Sequence, residues 1–319
     1  KLLAKAEKFS GTVLITKQGS NTPLLSCAVG KANLKDKTDI NMQTKFNIAS
    51  MGKMFTTVAI LQLVESGKLN LTDPIGTYLK TNICPKLQEV TVEQLLTHTG
   101  GTGHTRGEEF QDAQSPKDFM KLCKDRKPKF TPGTQWEYSN YGFVLLGALI
   151  EEITLKSYYD VIQGKVFDEV GMKESDFHFK EDHVPNVSIG YIRKRDGLHD
   201  NSHFLPLRGT PAGGGYSTAE DLNHFAQAIL ENKLLKPESI HKICTPKRVT
   251  PENCEIANYA IGFQGGDLWF GHEGRDDGCN GVLKIYPKTG YIITVLANQS
   301  PPSATNLADF IGDVLPDKN

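Results

Sequence analysis

Strand patterns gather at the two ends of this chain and helical patterns fill its middle. Near the N-terminus, Gly11-Thr12-Val13-Leu14-Ile15-Thr16-Lys17 reads as a strand, Gln18-Gly19-Ser20-Asn21 as a turn and residues 23–29 as the returning strand. Near the C-terminus, residues 267–271 read as a short strand. Residues 282–286 and 291–297 read as a hairpin around Pro287-Lys288-Thr289-Gly290, and residues 304–315 as a helix. Helical patterns cover 54–64, 91–96, 115–124, 140–153, 157–170 and 218–231, with Thr91 and Thr218 placed as N-caps. This distribution predicts one antiparallel sheet built from both termini, with a helical insertion between them. The class is α+β rather than alternating βαβ. A length of 319 residues suits one large or two intimately joined domains. The expected layout is a single domain, 1–319, with its α/β part at about 1–60 and 215–319 and its helical part at about 61–214.

Hydrophobic residues at 38% and charged residues at 23% describe a globular chain with enough apolar content for a sizeable core. The net charge of −1 offers no basic surface for nucleic acid. The longest apolar run, residues 143–150, falls far short of the roughly 18 residues of a membrane span. Cys27, Cys84, Cys123, Cys244, Cys254 and Cys279 include no CxxC pair, so they read as small buried residues, with one or two bridges allowed in an exported protein. His199 and His203, with Asp200 between them, stand beside Gly197 and Pro206 and read as loop residues without a third ligand. No metal site and no cofactor is expected. The chain opens at Lys1 without a methionine or a signal-peptide pattern, as expected of a trimmed or mature form.

The chemistry starts at Ser50-Met51-Gly52-Lys53, which leads into the helical run 54–64. Residues three apart on a helix share a face, so the Ser50 hydroxyl stands beside the Lys53 amine. Serine is a poor nucleophile until a neighbouring base takes its proton, and a lysine whose pKa is lowered by burial can be that base. Ser-x-x-Lys alone is weak, since residue frequencies produce it about once in such a chain. A second copy, Ser239-Ile240-His241-Lys242, follows Pro237 and reads as the surface of a short helix. Two further elements single out Ser50. Tyr138-Ser139-Asn140 follows the turn Thr131-Pro132-Gly133-Thr134 and precedes an apolar helix, which places it on a loop held by a rigid element. A tyrosine beside a lysine ammonium ionises more easily, and an asparagine amide both donates and accepts toward an ester or amide. His272-Glu273-Gly274 follows the apolar Leu268-Trp269-Phe270, where backbone N–H groups can hold an oxyanion.

In this order, Ser-x-x-Lys, Tyr-x-Asn and His-x-Gly resemble the motifs of the serine beta-lactamase-like hydrolases: class C beta-lactamases, D-alanyl-D-alanine carboxypeptidases, D-aminopeptidases and related esterases. The likeness extends to Phe9-Ser10-Gly11-Thr12-Val13, Leu95-Leu96-Thr97-His98-Thr99-Gly100, Pro132-Gly133-Thr134, Trp136-Glu137-Tyr138-Ser139-Asn140-Tyr141-Gly142 and Pro211-Ala212-Gly213-Gly214-Gly215-Tyr216-Ser217, nearly the whole chain. Lys288-Thr289-Gly290 spells the Lys-Thr-Gly motif of the penicillin-binding branch, but it falls at a hairpin tip and is rejected as the third motif. His98-Thr99-Gly100 precedes Tyr138 and is assigned to the cleft rim.

The resemblance implies a beta-lactamase/transpeptidase-like fold and an acyl-enzyme on Ser50, with either Lys53 or Tyr138 as the base. It implies an oxyanion held by the backbone N–H groups of Ser50 and Arg275, and Asn140 on the acyl side chain. His272 would assist the Tyr138–Lys53 pair or bind a substrate carboxylate, with Gly274 leaving room beside it. A histidine is only partly charged at neutral pH, so a carboxylate would be held weakly, and Arg275 either narrows the cleft or supplies the missing charge. The expected partner is a small-molecule or peptide substrate. An esterase or peptidase is favoured over an efficient beta-lactamase or a carboxypeptidase proper. The rival is a non-catalytic scaffold on the same fold, which loss of Ser50, Lys53 or Tyr138 would mark; all three are present. The family's usual setting is an exported bacterial protein, and the oligomeric state stays open.

Overall fold

The computed structural model describes residues 9–20, 22–80, 83–104, 113–122, 126–246, 248–249 and 258–316. Eight strands form the main sheet: β1 (Gly11–Lys17), β2 (Leu25–Val29), β3 (Arg248–Val249), β4 (Asn258–Tyr259), β5 (Gln264–Gly265), β6 (Phe270–Asp276), β7 (Cys279–Ile285) and β8 (Tyr291–Ala297). Their order across the sheet is β2-β1-β8-β7-β6-β5-β4-β3. All neighbours are antiparallel, and β1 joins the C-terminal strands in the register Gly11↔Ala297 to Lys17↔Tyr291. The two ends of the chain thus share one sheet, as the pattern predicted.

Both faces of that sheet are covered, so its central strands are apolar throughout rather than alternating with polar residues. Val13, Ile15, Ile293 and Val295 pack on one face under Leu307, Ala308 and Ile311 of the C-terminal helix Ser303–Val314. Leu14, Ile292, Leu296 and Leu283 face the larger helical core on the other side. The two-residue period of a strand assigns neighbours in sequence to opposite cores.

Helix α1 (Lys53–Glu65) runs through the helical core, buried without a break from Lys53 to Leu61. A helix that is apolar all round has no solvent face and becomes the centre of its layer. Helix α2 (Asn140–Thr154) packs against it and begins at Ser139, whose hydroxyl accepts the Gly142 N–H at 3.0 Å. Thr91 and Thr218 cap their helices as predicted, Thr91 with Gln94 in a capping box. No helix among the described residues is long and apolar enough to cross a membrane.

Two expectations shift. Of the strand placed at 267–271, residues 267–269 form the turn between β5 and β6, closed by the Gly266 N–H on the Trp269 carbonyl; the strand starts at Phe270 and runs to Asp276. Its inner positions hold His272 and Gly274, which break the apolar alternation and hid it. His199 lies in a small hairpin, Tyr191–Lys194 with Gly197–Asp200, rather than a loop, and its ring meets Asp196 at 2.8 Å. Two-residue pairing of Phe46–Asn47 with Tyr216–Ser217 was also not anticipated.

Asn280 on β7 ties β6 to the C-terminal helix. Its Nδ2 donates to the Gly274 carbonyl at 2.9 Å, and its Oδ1 accepts from Ala304 N at 2.8 Å and Thr305 N at 3.1 Å. It is a helix cap supplied from a neighbouring strand. Asn280→Ala is expected to lower the free energy of unfolding by about 1–2 kcal/mol in urea titrations, with Asn280→Asp no better, since its second oxygen would face the Gly274 carbonyl and the Glu273 carboxylate.

Candidate active site

Ser50 stands in the tight turn Ala49–Gly52 that feeds directly into α1 at Lys53. Ala49 has φ 43°, a left-handed conformation that non-glycine residues seldom adopt. Two hydrogen bonds hold it: Ala49 N–H to Asn47 Oδ1 at 2.9 Å, and Gly214 N–H to the Ala49 carbonyl at 3.1 Å. Gly213 lies against the turn so closely that a Cβ there would sit 2.2 Å from the Ala49 oxygen. On the other side, a Cβ on Gly274 would sit 2.2 Å from the Ile48 oxygen. The serine turn is clasped between two glycine backbones.

Lys53 is fully buried, and its Nζ meets three oxygens: Asn140 Oδ1 at 2.8 Å, the Ala212 carbonyl at 2.5 Å and Ser50 Oγ at 3.0 Å. Burial pushes its pKa well below the usual lysine value. Two of the three partners are carbonyl oxygens, which can only accept, so they take two N–H bonds. The remaining tetrahedral position faces Ser50. As an N–H that position donates to Ser50 Oγ, and in the neutral amine it is the lone pair, open to the Ser50 proton.

Tyr138 is half-buried, with its ring centroid 4.8 Å from Lys53 Nζ. The expectation of an easily ionised phenol is overturned. Burial raises the Tyr138 pKa, a hydrogen bond with Ser50 offsets part of that, and the Glu273 charge raises it further. With Lys53 itself desolvated, the cation that would have favoured a phenolate is withdrawn. Asn140 is the first residue of α2, with Ser139 as the cap, and its oxygen is committed to Lys53.

His272 corrects a second expectation. It lies inside β6, fully buried, and does not present a charge to solvent. Its Nδ1 is 2.6 Å from the Glu273 carbonyl and so donates; its Nε2, 3.0 Å from the Tyr259 hydroxyl, accepts. Burial lowers its pKa to about 3. A neutral, doubly satisfied imidazole is not a carboxylate contact. Arg275, two residues before the free turn of the strand, is partly exposed, with its Nε 3.5 Å from Glu273 Oε1. Glu273 N–H donates to Gln264 Oε1 on β5, away from β7. The alternation of an antiparallel strand directs the Arg275 N–H to that same edge.

Ser50, Lys53, Tyr138 and Asn140 are therefore brought together, with β6 alongside at Gly274. Lys288-Thr289-Gly290 is the tip of the β7–β8 hairpin, and the β7 residues from Gly281, opposite Gly274, to Ile285 alone separate the two by roughly 13 Å. The second Ser-x-x-Lys lies on the helix Pro237–Cys244, where Ser239 is buried rather than at the surface. Cys27, Cys84, Cys244 and Cys279 are unbridged, and Cys123 and Cys254 lie outside the described residues. Three contributors were not assigned to the site from the sequence. Ala212 was visible only within a Gly-rich block, Tyr259 carried no motif, and His98 was put on the rim although it is 1% exposed.

A family model described as Beta-lactamase matches residues 4–315. PbpX of Bacillus subtilis (strain 168), which carries a penicillin-binding-protein name, is 31% identical over 291 residues, covering 90% of this chain and 70% of its own. Protein flp of Staphylococcus aureus (strain N315) is 29% identical over 325 residues, covering 97% of this chain and 63% of its own, so the chain spans under two thirds of that relative. Among solved structures, a penicillin binding protein from Bacillus halodurans superposes with a TM-score of 0.89 at 30% identity, covering 97% of both chains.

Stability should carry the signature of the neutral His272. Its folded pKa near 3 lies below the free value of 6.5, so between them the unfolded chain binds more protons. The contribution is fully present above about pH 6.5 and declines as pH falls toward 3; His98, shifted the same way, adds to it. Urea unfolding should show lower stability at pH 5 than at pH 7, and His272→Gln, which does not titrate, should narrow that difference.

Proposed function

Because the chain belongs to the beta-lactamase family, we propose that it is a serine hydrolase that cleaves an ester or amide through an acyl-enzyme on Ser50. The observation that carries this reading is the Lys53 amine, desolvated and fixed by two carbonyl oxygens with its third position on Ser50 Oγ. Lys53 then acts as the base. Ser50 Oγ bonds to the carbonyl carbon as its proton moves to Nζ, and the oxyanion lies between the N–H groups of Ser50 and Arg275. Such a donor is worth about 3 kcal/mol in the transition state. Tyr138, kept protonated, passes a proton to the departing oxygen or nitrogen as the C–O or C–N bond breaks, and the Lys53 ammonium returns a proton to the phenolate. Water next attacks the acyl carbon and gives its proton to the neutral Lys53 amine, Ser50 Oγ takes a proton back as its bond to the acyl carbon breaks, and the free acid is released.

Substrate class follows from the charges at the cleft. His272 supplies no cation, and Arg275, the residue placed to meet a terminal carboxylate, already faces Glu273. This favours an esterase or peptidase over an efficient beta-lactamase. The guanidinium on the strand edge favours the second reading, a carboxylate-bearing peptide or beta-lactam.

Intact-protein mass after a fluorophosphonate should show one adduct on the wild type and none on Ser50→Ala, and Ser50→Ala should lower kcat on the order of 10^4-fold or more. Labelling that persists in Ser50→Ala overturns the scheme. A lasting penicillin adduct would assign a penicillin-binding peptidase, and rapid penicillin loss without an adduct a lactamase. With Lys53 as the base, kcat/KM falls as pH drops through the lowered Lys53 pKa and stays level above it. That acid limb should lie well below the ordinary lysine range, and Lys53→Arg, permanently charged, should be inactive at every pH.

A further inference from the structure

Behind Tyr138, His98 holds the chain on both sides of it. The Glu137 N–H donates to the His98 carbonyl at 3.0 Å, and the Ser139 N–H donates to His98 Nδ1 at 3.1 Å. Between these two bonds the imidazole lies against the Tyr138 ring, with centroids 4.2 Å apart and planes inclined by 38°. From this geometry we infer that His98 is a positioning residue for Tyr138, setting the phenol at the distance from Ser50 that leaving-group protonation needs. The inference rests on the hydrolase reading above.

The clamp is itself rigid. His98 follows the helix Val92–Leu96 and adopts φ 59°, a left-handed turn that aims its carbonyl and its ring at the same loop. The next residue is tied on both sides, Thr99 N–H to the Gln94 carbonyl and Gly133 N–H to the Thr99 carbonyl, each at 2.8 Å. The ring is closed in by Tyr259 at 4.5 Å and Phe143 at 5.3 Å. An accepting Nδ1 requires the neutral Nε2–H tautomer, and burial lowers the His98 pKa, keeping that acceptor available. Among the described residues Nε2 has no hydrogen-bond partner, so the ring's polar contact is the one with Ser139. Replacing the ring by an apolar one would remove the grip on Ser139. Tyr259 extends the brace, since its hydroxyl is held by His272. The strand histidine thereby reaches Tyr138 through packing, without touching substrate.

The experiment compares kcat on aryl and alkyl acetates, from p-nitrophenyl to ethyl, for wild type, His98→Ala, His98→Gln and His98→Asn. Asparagine keeps both an acceptor near Nδ1 and tolerance for the left-handed backbone; glutamine places its amide further out. A displaced general acid costs most where the leaving group is poor. The expected result is a loss in His98→Ala and His98→Gln at least about tenfold larger on ethyl than on p-nitrophenyl acetate, with KM little changed. Tyr138→Phe should show the same slope, and His98→Asn should stay within about threefold of wild type. A uniform loss across the series, or an asparagine variant no better than glutamine, overturns the positioning role while leaving the hydrolase reading intact. A wild type that turns over none of the esters and takes no fluorophosphonate on Ser50 overturns both; one that is labelled is compared with the variants on a series of acyl anilides, where the same leaving-group slope is expected. Should the alanine and glutamine variants not fold, imidazole 15N shifts of the wild type decide: the Nε2–H tautomer supports the clamp and the Nδ1–H tautomer overturns it.

Discussion

The site depends on keeping one amine out of water. Moving a lysine ammonium into a protein interior is so unfavourable that the group gives up its proton instead. Lys53 is fully buried at the start of a helix that is itself buried on every side, and no carboxylate is paired with it among the described contacts. What it meets are neutral oxygens from three separate parts of the chain, residues 50, 140 and 212. An acidic partner would have restored the charge and made Lys53 an ion-pair residue. Three neutral oxygens orient the amine, two of them carbonyls that accept its N–H bonds, and leave it basic.

Bringing those segments together needs backbones to approach more closely than side chains allow. Gly213 lies over the Ser50 turn on one side and Gly274 on the other, and each would lose its contact with the addition of a single carbon. The left-handed Ala49 gives the turn its shape, and a residue in that region costs of order 1–3 kcal/mol unless its surroundings determine it. Here Asn47 and Gly214 each supply a hydrogen bond to it. The Ser50 turn is thus strained locally and constrained from outside, which fixes the direction of its hydroxyl.

What the sequence disclosed was local. Ser50 and Lys53 are three apart, Tyr138 and Asn140 two apart, and both spacings follow from the geometry of a helix start. Terminal hairpins and capped helices were legible for the same reason. What stayed hidden depends on partners far along the chain. The burial of His272 follows from Tyr259 and Lys53, the inward turn of His98 from a loop forty residues away, and the contact of Ala212 from a carbonyl that no residue type announces. A histidine in a sequence carries no mark of its environment, and the cleft-rim place expected of residue 98 and the substrate-facing place expected of residue 272 are readings that residue type alone allows. The strand around His272 was misplaced because its core positions are an imidazole and a bare glycine, neither of which supports an apolar alternation.

These same buried groups account for the protonation state of Tyr138. Had Lys53 remained an ammonium, its charge would have stabilised a phenolate, and the tyrosine would have been the stronger candidate for the base. Desolvation lowers the pKa of the lysine and so weakens the reason for the tyrosine to ionise. His98 and His272, both held neutral, contribute no compensating cation. The pair therefore divides its work by burial alone, the amine without its third proton and the phenol with its own. A nucleophilic serine between them has an acceptor on one side and a donor on the other, the arrangement that acyl transfer requires at a single oxygen.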